Sequence, residues 1–413
     1  MTSAILSRDI GFFVCPERRT VMDFLTSLAV ICLCALWLGS VCAKIKLPPL
    51  LGMLIIGIVL GPYVLDLIAP SILAISPDLR QLALIIILTR AGLNLNLKDL
   101  KKNGLSAILL CFVPASVEIC AYILFGTLLL YLNIIDAAVL GCVMAAVSPA
   151  VVVPRMLKLK ENGYGTNKGI PDMIMAGASA DDVFVIVLFT AFTAMASGGT
   201  FSFNIVWQIP VSIALGIGVG VGVGVFFVLF IKKVHIRDSI KVILILSLAF
   251  LFIALENAIE TVPYSGLLSV IAFGAVVFAK HTVCAERLSQ KFSKLWILAE
   301  ILLFVLVGAE VNISYALQNA GMIICVILLA LLFRMAGVYL CVIKSKLLQK
   351  ERLFCMIAYT PKATVQAAIG AVPLAMGFAC GQTILTAAVL AILITAPLGA
   401  FLTDLTYKKL LSQ

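Results

Sequence analysis

Long apolar stretches separated by short polar segments fill almost the whole chain. Most of them are long enough to cross the ~30 Å hydrocarbon core of a bilayer as an α-helix, which takes about 20 residues. The pattern predicts about thirteen membrane-spanning helices. They are expected near residues 22–43, 50–68, 79–97, 104–132, 135–157, 170–197, 204–231, 239–259, 264–280, 294–311, 315–343, 351–376 and 382–405.

Composition supports this reading of the apolar stretches. Hydrophobic residues make up 63% of the 413 residues and charged residues only 12%, and the mean hydropathy is +1.18. Soluble domains carry about 25% charged residues. The sequence therefore predicts an all-α polytopic membrane protein with no soluble domain. The 12 cysteines are scattered singly, without the spacing of a metal site or a disulfide framework, so we expect no cofactor.

Basic residues concentrate in every second predicted loop, apart from Arg80. Cytoplasmic loops are enriched in Lys and Arg, so we expect a multi-pass protein of the plasma or inner membrane with a cytoplasmic C-terminus and an external N-terminus. Arg8, Arg18 and Arg19 conflict with this placement and leave open an extra helix or an interfacial segment. The net charge of +10 then indicates a basic face beside anionic lipid and not a nucleic-acid surface. The basic loops contain Lys44 and Lys46; Lys98, Lys101 and Lys102; Arg155, Lys158, Lys160 and Lys168; Lys232, Lys233, Arg237 and Lys241; Lys280, Arg287, Lys291 and Lys294; and Lys344, Lys346, Lys350 and Arg352.

Two predicted helices carry a hydroxyl residue followed by proline about halfway along their length. These pairs are Ser148-Pro149 on the fifth helix and Thr360-Pro361 on the twelfth. Proline lacks the backbone donor and clashes with the preceding turn, so each helix is expected to be interrupted there. Plain kinks are the alternative. Interrupted helices at matching positions of two halves, seven helices apart, favour a transporter built from inverted repeats.

Asp181 and Asp182 lie in the middle of another apolar stretch, on the sixth predicted helix. A carboxylate at that depth costs about 2.5–3.5 kcal/mol on insertion scales, so intramembrane acids usually mark an ion site. Two adjacent carboxylates repel each other when both are ionised, so one of them binds a proton more readily. Proton and cation then compete for one site, which is the basis of antiport.

Three further charged residues lie at membrane depth. Glu118 and Arg334 precede the two interruptions at corresponding positions, and we expect them to form a buried pair that braces the repeats, with a direct role in ion binding as the alternative. Lys362 lies within the second interruption and is expected to balance an aspartate and to exchange a proton. The alternative is that the Lys362 side chain extends to the cytoplasmic edge of the membrane.

Five alternating glycines follow in the seventh predicted helix, from Gly216 to Gly224. They lack the Lys-Ser/Thr of a nucleotide-binding loop. Their spacing places small residues on one helix face and predicts close helix packing.

Together these features resemble the cation/proton antiporter superfamily, and most closely its NHA-type sodium/proton branch. The resemblance rests on the order of the helices and on Ser148-Pro-Ala-Val-Val-Val-Pro154, Ala180-Asp181-Asp182, Arg334 and Pro361-Lys-Ala-Thr-Val-Gln-Ala-Ala-Ile-Gly370. It implies inverted repeats with two crossed broken helices, as in the NhaA/NapA-like antiporter fold. It also implies a homodimer in which a core bundle moves against a dimerisation bundle in an elevator-like motion.

The resemblance further implies a division of the chain and a role for each site residue. The first and third segments, 1–103 and 203–311, would form the dimerisation domain with a linker helix, and 104–202 and 312–413 the two repeats of the core. Asp182 would carry the cation and the proton, with Asp181 as its partner. Lys362 would be a charge partner in the break, and Glu118–Arg334 a core pair.

The implied function is exchange of Na⁺ or Li⁺ for protons, serving pH homeostasis. In this family two adjacent aspartates favour electrogenic exchange, while Arg334 and Lys362 leave the number of protons open. A K⁺/H⁺ exchanger of the same fold and a sodium-coupled solute symporter remain alternatives. An enzyme is not expected, because an intramembrane aspartyl protease needs its two aspartates on different helices.

Overall fold

The computed structural model describes residues 22–95, 104–197, 203–259 and 264–412. Apart from one short 3₁₀ turn at Thr166–Lys168, the regular structure of these residues is α-helical. The helices are α1 Phe24–Lys44, α2 Pro49–Leu60, α3 Pro70–Ala74, α4 Ser76–Leu93, α5 Gly104–Leu110, α6 Val113–Leu129, α7 Ile134–Ala145, α8 Pro149–Glu161, α9 Ile170–Ser197, α10 Phe203–Lys233, α11 Asp238–Ala258, α12 Gly266–Lys280, α13 Thr282–Ala309, α14 Ile313–Val342, α15 Gln349–Ala358, α16 Thr364–Ile369, α17 Val372–Ala375 and α18 Gly381–Leu410.

The all-helical membrane architecture is confirmed. Over the described ranges, nine helical segments are long and apolar enough to cross a membrane: α1, α5–α6, α7–α8, α9, α10 from Pro210, α11, α13, α14 and α18. Shorter apolar helices lie at α2, α12 and α16–α17. Each of the thirteen predicted stretches contains helix, but the number of spans stays a prediction. Arg8, Arg18, Arg19 and the basic loop at 98–102 lie outside the described residues.

Several predicted helix boundaries are wrong. The second helix ends at Leu60 and not near residue 68, because Gly61-Pro62 stops it. The tenth begins at Thr282 and not near residue 294. The charges of its first half favour a loop, yet this half is helical and buries one face. The buried residues recur at helical spacing: Cys284, Ala285, Leu288, Ser289 and Phe292.

The helices pack in two groups. In the first, α13 packs against α2 and α4, α12 against α4 and α10, and α1 against α2. In the second, α6 packs against α7 and α14, α9 against α7 and α8, and α15 against α14 and α18. The second group contains both proline-bearing interruptions and the paired aspartates. The domain boundaries proposed from the sequence stay a prediction.

The glycine run packs α10 tightly against α12. A Cβ added at Gly220 would lie 2.4 Å from the carbonyl oxygen of Ser269, and one at Gly216 would lie 2.8 Å from that of Ser265. At Gly218 and Gly222 an added Cβ has no neighbour within 4 Å. Only alternate glycines of the run therefore make the helix contact.

We expect Gly220→Ala to destabilise the protein by about 1–3 kcal/mol, because the methyl group forces two backbones apart. Gly222→Ala is the matched control on the open face. It should leave stability unchanged or raise it slightly, since alanine is the better helix former by about 1 kcal/mol. Unfolding temperatures of the purified variants in detergent measure both effects, and equal temperatures would contradict the packing role of Gly220.

Candidate functional site

The first interruption separates α7 from α8. Helix α7 ends at Ala145, residues 146–148 are non-helical, and Pro149 occupies the first position of α8. Proline is well suited to that position because its missing N–H would have no partner inside the helix. The sequence Ser148-Pro149 thus restarts a helix and does not kink a continuous one.

The second interruption separates α15 from α16. Helix α15 ends at Ala358, the residues around Pro361 are non-helical, and α16 begins at Thr364. The two interruptions touch, since the backbone N–H of Ser148 donates to the carbonyl of Pro361 over 2.8 Å. The backbone groups released by the breaks therefore satisfy each other in part.

Arg334, on α14, is fully buried where the two interruptions meet. Its Nε donates to the carbonyl of Tyr359 over 2.7 Å, and its Nη1 donates to the carbonyl of Ala145. These carbonyls lie at the C-terminal ends of α15 and α7, where the helix dipole concentrates negative charge. One guanidinium thus neutralises two helix ends.

The same guanidinium also contacts two acids. Its Nη1 lies 2.7 Å from Oε2 of Glu118, and its Nη2 lies 3.0 Å from Oδ2 of Asp181. The structure therefore brings Glu118 and Arg334 together. All three side chains are fully buried, and a buried charge is tolerated only when it is paired.

Lys362 contacts Glu118 and not an aspartate. Its Nζ lies 2.6 Å from Oε2 of Glu118, and its side chain is 2% exposed. The expectation that Lys362 balances an aspartate is corrected on this point, because its ion-pair partner among the described residues is Glu118, while Asp181 pairs with Arg334. The alternative, in which the Lys362 side chain reaches the cytoplasmic edge, is wrong because the side chain is buried against Glu118.

The two adjacent aspartates have different surroundings. Oδ2 of Asp181 accepts from the backbone N–H of Val147 over 2.8 Å and from Arg334. Asp182 is 7% exposed, and its Oδ1 has no hydrogen-bond partner among the residues that the structure describes. Asp181 is thus fixed and charge-compensated, whereas Asp182 has no cationic partner among the described residues.

Oxygen atoms without partners gather around the interruptions. They are buried and belong to carboxylate, hydroxyl and amide groups, and within the described ranges none has a hydrogen-bond partner: Oδ1 of Asp181, Oδ1 of Asp182, Oγ of Ser148, Oγ1 of Thr364 and Oε1 of Gln366. Oxygen ligands suit hard cations. These buried oxygens are therefore of the type that binds hard cations.

Sequence reasoning missed two residues of this site. Gln366 donates from Nε2 to the carbonyl of Ala146 over 2.9 Å. Thr395 on α18 accepts from the backbone N–H of Lys362 over 2.9 Å, as Asp181 accepts from Val147 in the first interruption. Gln366 is a polar residue in an apolar helix, and this could have marked it as a site residue. Thr395 could not have been recognised in this way, because a threonine is common in membrane-spanning helices.

A cavity of about 310 Å³ lies between the two helix groups. Its walls come from α4, α11 and α12 on one side and from α9, α16 and α17 on the other. Arg80 lines it and pairs with Glu310, which accounts for the basic residue that breaks the alternation of the predicted loops. Glu256 also lines it and accepts from the backbone N–H of Gly266 over 3.0 Å.

The whole architecture is similar to a solved antiporter structure. The sodium proton antiporter MjNhaP1 from Methanocaldococcus jannaschii, solved at pH 8, superposes with a TM-score of 0.80 over 95% of this chain and 100% of that chain, at 21% identity. At this identity the likeness shows the fold alone.

The sequence comparisons define the family. The family model described as "Sodium/hydrogen exchanger, transmembrane" matches residues 28–407. Sodium/hydrogen exchanger 9B2 from Mus musculus is 35% identical over 89% of this chain and 69% of its own length, and the human protein of that name is 34% identical over 92% and 74%. Human sodium/hydrogen exchanger 9B1 is 33% identical over 89% and 73%. The chain belongs to the sodium/hydrogen exchanger family, which confirms the predicted membership of the cation/proton antiporters.

Proposed function

We propose that this chain exchanges Na⁺ or Li⁺ for protons across a cell membrane at Asp182. Sodium/proton antiport is the activity of the family to which the chain belongs. One observation carries the site assignment: of the three buried acids that the structure describes at the crossing, Glu118 and Asp181 contact the buried cations and Asp182 does not. A carboxylate left uncompensated at this depth takes up either a proton or a cation.

The charges of the site support one proton for each cation. Glu118, Asp181 and Asp182 carry three negative charges when ionised, and Arg334 and Lys362 carry two positive ones. The net charge of −1 becomes zero when Asp182 binds either a proton or one Na⁺. The loaded site then has the same charge in both directions, so the exchange is electroneutral. This proposal differs from the electrogenic exchange that two adjacent aspartates favour within the family.

An elevator-like movement of the second helix group against the first fits the cavity between them. Both groups line the cavity, and the second carries the acids and both interruptions. Movement of one group past the other would expose Asp182 to each side in turn, as alternating access requires. We further propose the inverted-repeat arrangement, a homodimer formed through the first group, and the cytoplasmic C-terminus that the basic loops favour.

A vesicle experiment tests the function and its stoichiometry. We expect the reconstituted protein to dissipate an imposed proton gradient when Na⁺ or Li⁺ is added, and the final cation ratio to be the same with the voltage clamped at zero or at 100 mV. If one net charge moved per cycle, that voltage would add about 2.3 kcal/mol and change the equilibrium ratio about fiftyfold. A fluorescent proton indicator and a sodium measurement give both quantities.

Each other result has a definite meaning. A gradient dissipated by K⁺ alone would identify a K⁺/H⁺ exchanger of the same fold. A cation ratio that follows the voltage would show that more than one proton moves for each cation, and Lys362 would then be the candidate for its carrier. Absence of exchange with all three cations would refute the function.

A further inference from the structure

Gln366 is the polar side chain through which the second interrupted helix holds the backbone of the first. It lies in α16, is fully buried, and donates from Nε2 to the carbonyl oxygen of Ala146 over 2.9 Å, with a longer contact of 3.4 Å to that of Met144. Both contacted atoms are carbonyl oxygens, which only accept. The amide nitrogen of Gln366 must therefore face the interruption, and its orientation is unambiguous.

The carbonyl that Gln366 holds belongs to the same peptide group whose N–H binds Asp181. The peptide joins Ala146 to Val147, and the N–H of Val147 donates to Oδ2 of Asp181 over 2.8 Å. A donor on the carbonyl of a peptide polarises it and strengthens its N–H as a donor. The three groups form one continuous chain of hydrogen bonds from Gln366 to Asp181.

This chain determines which oxygen of Asp181 stays available. Oδ2 is held by Val147 and by Arg334. Oδ1 is buried and has no hydrogen-bond partner within the described part of the chain. Fixing one oxygen with two donors orients the carboxyl group, so that the other oxygen keeps a constant position.

We infer that Gln366 is a positioning residue that orients Asp181 through the 146–147 peptide and thereby sets the affinity of the site for its cation. The inference rests on the proposed function, because the cation is the one exchanged there. Gln366 itself need not touch the cation. Loss of Gln366 should therefore lower the affinity for the cation. This effect should disappear when residue 181 is no longer a carboxylate.

The test is a double-mutant cycle read out by cation binding. Gln366→Met keeps the length of the side chain and removes the donor. We expect it to raise the Na⁺ concentration needed for half of the Na⁺-dependent rise in unfolding temperature about fivefold, the factor that one ordinary hydrogen bond contributes. The KM for Na⁺ in vesicles should rise by the same factor while the maximal rate stays close to that of the unmodified protein.

The second arm of the cycle repeats the measurement in the Asp181→Asn background. There Gln366→Met should change the Na⁺ affinity no further, because the carboxylate it orients is gone. A merely structural role would lower stability equally in both backgrounds and leave the affinity unchanged. Thr386→Val is the matched control: Thr386 is fully buried in α18 and its Oγ1 has no partner in the described residues, so its removal should leave Na⁺ affinity unaltered.

Gln366→Leu provides a second variant if Gln366→Met does not fold. Leucine also lacks the donor to the carbonyl of Ala146 and adds no charge, so the same loss of affinity is expected. Unchanged Na⁺ affinity in a folded variant, an equal loss in the Asp181→Asn background, or failure of both variants to fold would overturn the inference. A protein that shows neither Na⁺-dependent stabilisation nor exchange before any substitution would instead refute the proposed function.

Discussion

Replacing Asp182 with asparagine is expected to abolish exchange, so that addition of Na⁺ or Li⁺ to reconstituted vesicles leaves the proton gradient at the level of protein-free vesicles. Asparagine has the same shape and is permanently neutral, so it releases no proton and offers no negative charge to the cation. Asp182 has no ion pair with a described residue, so the substitution breaks no salt bridge there. The protein should remain folded.

The control for this variant is Asp404→Asn. Asp404 lies 3.5 Å from Arg155, and its side chain is 50% exposed, so that pair contributes about 1 kcal/mol at most. We expect full exchange from this variant. Exchange at the normal rate in Asp182→Asn would assign the transported ions to another group, and Asp181 would be the next candidate.

Replacing Arg334 with methionine is expected to cause the largest loss of stability, about 3–5 kcal/mol, because removal of one partner leaves buried charges uncompensated. Glu118 would keep only Lys362, Asp181 would keep only the N–H of Val147, and two helix ends would lose their cation. Unfolding temperatures in detergent measure the loss. Arg334→Lys keeps the positive charge but loses the planar set of donors. Its unfolding temperature should lie between those of the unmodified protein and Arg334→Met.

Two comparisons make this result specific. Arg287→Met removes an exposed partner of Asp238 at 3.3 Å and should cost less than about 1 kcal/mol. Adding Asp181→Asn to Arg334→Met should recover part of the stability, because one of the stranded charges is then removed. If Arg334→Met unfolded at the same temperature as Arg287→Met, the buried network would not stabilise the crossing.

The sequence predicts those parts of the site that depend on a residue type rarely found inside an apolar membrane-spanning helix. A proline in the middle of an apolar stretch has few explanations, and both interruptions lie where Pro149 and Pro361 placed them. A pair of adjacent acids in an apolar stretch has equally few explanations. Burial of Asp181 and Asp182 at the interruptions therefore follows from their cost in a membrane.

The contacts between elements could not be read from the sequence. The partner of Lys362 depends on how far each helix is shifted and tilted against its neighbour, and the sequence gives only its depth. Gln366 and Thr395 act through backbone groups of other helices, which no residue pattern reveals. The charged residues at the start of helix α13 favour a loop, so the sequence predicts this helix too short.

The two interruptions are held in the same way by chemically different side chains. A carboxylate, Asp181, accepts from Val147 in the first, and a hydroxyl group, Thr395, accepts from Lys362 in the second. The acceptor in the first interruption is thus an anion on α9, and the acceptor in the second is a neutral group on α18. We therefore expect a positive ion that enters the crossing to be drawn towards α9 and not towards α18.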